Sequence, residues 1–155
     1  MERPANHFLQ SLSVEDYELL HPHLRRVALI QSRELFDIGG TIDRVYFPHS
    51  GAAISLVVPL KGGQMVEAGM IGQDGVAGTA GALDGSIALQ TAIVQIAGHS
   101  SVIDTGSIRA AVDQSPSLRS TLYRHDQLLL AQAQQSAACN GAHKGTVMPL
   151  AAQGP

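Results

Sequence analysis

A series of short apolar segments, divided by glycine, proline and aspartate, occupies the chain from Leu24 to about Asp104. Each segment is long enough for one strand, and strands spaced this closely are typical of an all-β barrel or roll. The segments read LRRVALI, ELFDI, DRVYF, AAISLVVPL, QMVEAGMI, ALQTAIVQI and SSVID. The pattern predicts a β-roll over residues 24–104, and it constrains the fold more than any other feature of the sequence.

The clearest turn in this region is the Gly62-Gly63 pair between AAISLVVPL and QMVEAGMI. Paired glycines favour a tight hairpin because both can adopt positive φ. Pro59 precedes the turn and has no backbone N–H to donate, so we expect it at a position where its strand is unpaired on one side.

Helical patterns lie on both sides of the β region. Residues 1–23 are predicted to hold short helices, with Ser13 as an N-cap. Residues 105–140 predict a short helix and then a long one, which begins with Ser115 as its cap and Pro116 at the first helical position. Residues 141–155 are rich in glycine and proline and predict a disordered tail.

The long helix carries apolar residues beyond a single narrow stripe. A helix of this kind usually packs on more than its own domain, so we expect it to contact a second copy of the chain. The residues predicted to form this dimer surface are Leu118, Leu122, Leu129 and Ala133.

Composition limits the classes of function. The chain has 155 residues, with 10 basic against 13 acidic side chains and a net charge of −3, which argues against unaided nucleic-acid binding. The N-terminus lacks a basic start followed by an apolar run, and no window approaches the ~20 apolar residues of a membrane span. We therefore expect a cytoplasmic protein without a membrane partner.

No arrangement typical of an enzyme is found. Ser-His-Asp, paired-acid and phosphate-loop patterns are absent from the sequence, so no catalytic residue is predicted. His21 and His23 would suit a metal in a cupin-like barrel, but no third ligand follows at a suitable spacing, and no metal site is expected. Arg3, Arg25 and Arg26 are too few to predict a basic patch.

Glycines recur at every third position from 69 to 81, in GMIGQDGVAGTAG. One interpretation is a compact loop in which several backbone amides converge on an anion. The other is that the glycines only permit tight turns within the roll. The spacing alone leaves both open.

The order of elements resembles the CRP/FNR family of transcription regulators over about residues 6–140. The segments that carry the resemblance are DRVYFPHSGAAISLV, VEAGMIGQDGVAG, TAIVQIAG and QSAACN. The resemblance implies a double-stranded β-helix, or jelly roll, of the cyclic-nucleotide-binding type, followed by a long helix of the dimerisation type.

In nucleotide-binding members of that family, a Gly-Glu-Leu segment and a later Arg-Ser/Thr-Ala segment hold the cyclic phosphate and ribose. The resemblance places Gly78, Thr79 and Ala80 at the first segment and Gln90, Thr91 and Ala92 at the second. Neutral Thr79 and Gln90 replace the glutamate and the arginine. Because a hydrogen bond to a charged group contributes about 1.5–3 kcal/mol, we expect a degenerate site that binds cyclic nucleotide weakly or not at all.

Family members continue into a helix-turn-helix domain, and we expect that domain to be absent from this chain. The predicted function is the sensory or regulatory domain of a CRP/FNR-like regulator that forms homodimers, and also pairs with full-length relatives, without binding DNA by itself. A free-standing ligand-binding β-roll that acts through protein contacts is the main alternative. A cupin-like metalloenzyme is the other.

Overall fold

The computed structural model describes residues 2–83 and 87–145, and for residues 133–145 it describes the backbone only. The chain divides into two compact units, residues 1–125 and residues 126–155. The first unit holds the described strands and the short helices, and the second begins within the last helix.

Seven strands are formed by the described residues. In chain order they are β1 Arg25–Leu29, β2 Glu34–Phe36, β3 Arg44–Pro48, β4 Ala53–Pro59, β5 Met65–Ile71, β6 Thr91–Ile96 and β7 Gly98–Asp104. Sheet A has the strand order β1-β7-β3 and sheet B the order β2-β6-β4-β5, and the paired strands are antiparallel. Each apolar segment of the sequence supplies one strand, and the pairing of the first strand with the last is that of a roll.

Within the part of the chain that the structure describes, five helices lie before, between and after the strands in the sequence. They are α1 His7–Ser11, α2 Val14–Leu20, α3 Thr79–Leu83, α4 Thr105–Gln114 and α5 Pro116–Gly145, with a 3-10 turn at His21–His23. A mainly-β fold with helices before, between and after the strands is therefore confirmed.

Side-chain caps determine where two of these helices begin. The Ser13 hydroxyl accepts a hydrogen bond from the backbone N–H of Asp16 at 3.1 Å. The Ser115 hydroxyl accepts one from the N–H of Leu118 at 3.1 Å, and Pro116 is the first residue of α5. Both predicted caps are confirmed, because each hydroxyl satisfies an N–H that has no partner within its helix.

The predicted hairpin joins β4 to β5. Gly62 and Gly63 both have positive φ, at +89° and +84°, and the turn is closed by a 2.7 Å hydrogen bond from Leu60 N to Gln64 O. Pro59 lies beyond Val57, the last residue of β4 that pairs with β6. The missing N–H of Pro59 therefore removes no hydrogen bond from the pairing of β4 with β6.

The main core lies between sheet A and the helices. Fully or almost fully buried side chains from α1, α2, α4 and the first turns of α5 pack against those of β3 and β7. They include Phe8, Leu9, Leu20, Val45, Phe47, Ile103, Ile108, Leu118 and Leu122.

Helix α5 ends at Gly145 and passes through Gly141, so the predicted end at Asn140 is wrong. A single glycine costs a helix about 1 kcal/mol relative to alanine, and it stops the helix only where the chain turns to positive φ. Residues 146–155 of the predicted tail lie outside the described residues.

Candidate functional site

The predicted ligand-binding cassette lies between the end of β5 and the start of β6. Gly78 has a φ of +97°, and a Cβ at this position would lie 3.0 Å from the carbonyl oxygen of Arg44. The neighbouring Ala77 exchanges two backbone hydrogen bonds with Tyr46 of β3, at 2.8 and 2.9 Å. Glycine is required at position 78 because the loop packs closely on β3, a reason that involves no ligand.

The other regularly spaced glycines do not share one loop. Gly69 lies within β5, opposite Leu56, and Gly81 lies within α3. A Cβ on Gly81 would lie 3.0 Å from the Ile42 side chain. Close packing and tight turns therefore account for these glycines better than a shared anion-binding loop does.

Thr79 and Ala80 begin α3, which has only five residues. The Thr79 side chain is buried, and Ala80 is half-buried. Thr79 stands where the family resemblance places a glutamate, and it supplies no carboxylate to accept hydrogen bonds from a ribose.

Thr91 is the first residue of β6, and its hydroxyl is already occupied. It donates to Asp37 Oδ1 at 2.6 Å and accepts from the backbone N–H of Ile38 at 3.0 Å. Ala92 is fully buried and pairs with β2 and β4, and Gln90 is half-buried. Thr91 thus joins β6 to the segment after β2, and its hydroxyl proton is not available to a phosphate.

The charge of this region also disfavours an anion. The sequence from Gly62 to Gly98 contains Glu67, Asp74 and Asp84 but no lysine or arginine. Asp37 adds a carboxylate next to Thr91. No arginine of this segment is present to give a cyclic phosphate the charge-assisted hydrogen bonds that a guanidinium provides.

The residues predicted to form a dimer surface divide into three groups. Leu118 and Leu122 are fully buried in the core of the first unit, so their assignment to a dimer surface is wrong. The reason is that the first turns of α5 cover α1, α2 and α4. Leu129 is half-buried, and the side chain of Ala133 lies outside the described residues.

His21 and His23 lie in the exposed 3-10 turn rather than in the roll. Among the described residues, no three histidine, cysteine, aspartate or glutamate side chains are grouped closely enough to hold a metal ion. The cupin-like alternative therefore has no supporting geometry in this part of the chain.

The structure also brings together basic residues that lie far apart in the sequence. Arg3, His21, Arg26 and His49 line one pocket beside sheet A. They are separated by up to 46 positions in the sequence, and no local pattern identifies them as a group. The only sequence signal was the Arg25-Arg26 pair.

Comparison with solved structures identifies the fold. The c-di-GMP responsive global regulator CLP of Xanthomonas campestris matches with a TM-score of 0.67 and 12% identity, over 83% of this chain and 65% of that one. FixK2 of Bradyrhizobium japonicum also matches at 0.67, with 14% identity, over 76% and 58%. A cyclic nucleotide-binding domain from Methylobacillus flagellatus matches at 0.63 and 14% identity, over 90% and 77%.

The chain thus has the fold of the cyclic-nucleotide-binding domain of CRP/FNR-type regulators, as predicted. It spans less than two thirds of the length of CLP and of FixK2. Searches of protein-family models and of curated proteins found no match. Within the described residues, no helix has the length and hydropathy needed to cross a membrane.

Proposed function

We propose that this chain is a sensory or regulatory domain of a CRP/FNR-like transcription regulator, without enzymatic activity, whose cyclic-nucleotide cassette is degenerate. The observation that carries the proposal is the combination of the cyclic-nucleotide-binding fold with the closed hydrogen-bond arrangement at Thr91. The fold supports a regulatory role, and the occupied hydroxyl supports the loss of phosphate recognition.

The electrostatics of the cassette favour this degenerate form over a working cyclic-nucleotide site. An arginine that contacts phosphate contributes about 1.5–3 kcal/mol, which corresponds to a factor of about 10 to 150 in affinity. Gln90 supplies no charge, and Asp37 places a carboxylate beside the next residue. Together these differences favour a Kd for cAMP far above the micromolar range.

Calorimetric titration of the full chain with cAMP and with cGMP tests the cassette. We expect no saturable heat at micromolar ligand, and the same weak response to adenosine, which lacks the phosphate. Saturable binding of either cyclic nucleotide with a micromolar Kd, and none of adenosine, would contradict the proposal if the same Kd is found in Arg26→Gln, because Arg26 lies in a separate pocket outside the cassette.

We further infer that the domain acts as a homodimer through the part of α5 that begins at Asp126, and that full-length relatives pair with the same surface. Leu128 and Leu130 support this inference because each exposes more than half of its side chain to solvent, at 59% and 52%. The net charge of −3 supports the absence of DNA binding by this chain alone.

A further inference from the structure

A pocket of about 310 Å³ lies beside sheet A, between β1, α2 and the N-terminal segment. None of the predicted cassette residues lines it. Its polar lining includes Arg3, His21, Arg26, His49 and Ser101, with Glu2 as an acidic member. The surplus of basic side chains distinguishes this pocket from the cassette, whose part of the sequence contains no lysine or arginine.

Arg26 is one of the cations that line the pocket. It lies on β1 directly opposite Ser101 of β7. Two residues that lie opposite each other in an antiparallel pair project from the same face of the sheet, so Arg26 and Ser101 share a face. Within the described residues Arg26 forms no ion pair, whereas its neighbour Arg25 lies 3.6 Å from Asp104. Arg26 is an exposed residue, and it lines the pocket.

His49 is fixed beside this arginine. Its Nε2 lies 2.8 Å from the Ser101 hydroxyl, and its backbone N–H donates to His99 O at 2.9 Å. Partial burial, and then the positive charges of Arg26 and His99, lower the pKa of His49. An entering anion would offset those two charges, so it would favour protonation of the imidazole.

Arg3 adds a second, rigidly held positive charge. One of its terminal nitrogens donates to the carbonyl oxygens of Leu9 and Leu12 at 2.9 and 2.7 Å. The guanidinium also lies 4.5 Å from the centre of the Tyr17 ring. These contacts hold the charge at the pocket without cancelling it by a carboxylate. Pro4 and Leu24 complete an apolar wall.

We propose that this pocket binds a small organic oxyanion, whose carboxylate or phosphate group contacts Arg26 and the His49–Ser101 pair while its apolar part packs on Leu24 and Pro4. A guanidinium matches either group because its fork of N–H donors fits two oxygens. The side chains involved belong to the first compact unit, and the site does not depend on the cassette.

The test compares phenyl phosphate with benzoate, which share a ring but differ in the anionic group, and uses benzyl alcohol as the uncharged control. Binding to the full chain is measured by calorimetry at constant ionic strength. We expect saturable binding of at least one anion and none of benzyl alcohol. The anion that binds more tightly distinguishes a phosphate ligand from a carboxylate ligand.

Arg26→Gln should lower the affinity for the bound anion at least about tenfold, because a charge-assisted hydrogen bond is lost. Arg33→Gln is the matched control, since it removes the same charge from an exposed side chain outside the pocket lining. It should leave the affinity within about twofold. Failure of both anions to saturate the protein, or equal effects of the two substitutions, would overturn the proposal.

A second readout uses His49. Benzoate stays ionised from about pH 8 to about pH 6, whereas His49 becomes protonated more readily as the pH falls. The affinity for benzoate should therefore rise as the pH falls, and His49→Gln should flatten that rise. The charged or titratable groups around His49 are Arg26 on β1, His99 on β7, Glu2 and Arg3 in the N-terminal segment, and His21. An unchanged pH profile in His49→Gln would exclude His49 from the site.

Discussion

Asp16 connects two helices that are far apart in the sequence. Its side chain is buried, and it accepts hydrogen bonds from Ser115 at 2.5 Å and from Ser117 at 2.7 Å, one on each carboxylate oxygen. Ser115 in turn caps α5 through the N–H of Leu118. A single carboxylate therefore fixes the start of α5 against α2, and a buried network of this kind depends on every member having its partner.

Asp16→Ala should destabilise the protein by about 3 kcal/mol, because the buried hydroxyl of Ser115 and the exposed hydroxyl of Ser117 both lose their charged acceptor. Urea unfolding followed by circular dichroism measures this loss. Glu15→Ala is the control, since Glu15 lies in the same first turn of α2 and is exposed. Its effect should stay within about 1 kcal/mol, the usual range for a charge near a helix N-terminus. Equal losses in both variants would show that the network does not stabilise the fold.

Helix α5 has two parts with different surroundings. The first turns bury Leu118 and Leu122 in the core of the first unit. Beyond Asp126, the side chains of Leu128 and Leu130 are exposed. Removing this apolar surface from water would be favourable. The element therefore combines a part that stabilises its own domain with a part that we propose contacts a second copy.

The proposed dimer is tested by light scattering coupled to gel filtration. The wild-type chain should elute with twice the mass of one chain, and Leu130→Glu should shift it towards the monomer, because a carboxylate would be buried in an apolar interface. Gln127→Glu adds the same charge at an exposed polar position and should remain dimeric. A wild-type monomer at high concentration would contradict the dimer.

The whole molecule places its charges unevenly. Residues 62–98, which include the cassette, contain three acidic residues and no lysine or arginine, whereas Arg3, Arg26 and His49 come together at the pocket beside sheet A. The folded state lowers the pKa of His49 through burial and the nearby positive charges. In the unfolded chain the same imidazole titrates near pH 6.5.

This difference makes the stability of the fold depend on pH. Above about pH 6.5 His49 is neutral in both states, but below it the unfolded chain takes up a proton more readily than the folded chain, so stability falls as pH falls. The free energy of unfolding, measured from pH 7.5 to 5.5, should decrease more for wild type than for His49→Gln. A steeper decrease in the variant would have the wrong sign for a lowered pKa.

The strands and caps were predictable from the sequence because their signals are local. Apolar runs bounded by turn residues located each strand, and Gly62-Gly63 identified the hairpin. Ser13 and Ser115 marked their helix starts because a cap acts on an N–H three residues later. The end of α5 was misplaced because a glycine weakens a helix without specifying where it stops.

The environment of each candidate residue was decided only by the tertiary structure. The sequence could not show that the Thr91 hydroxyl donates a hydrogen bond to Asp37, which lies 54 positions away. It also could not show that Leu118 and Leu122 belong to the core. It likewise could not place Arg26 beside His49 and Ser101, since β1 meets β7 only when the roll closes. Local patterns specify elements, whereas burial and charge at a site depend on contacts between distant segments, and these arise only on folding.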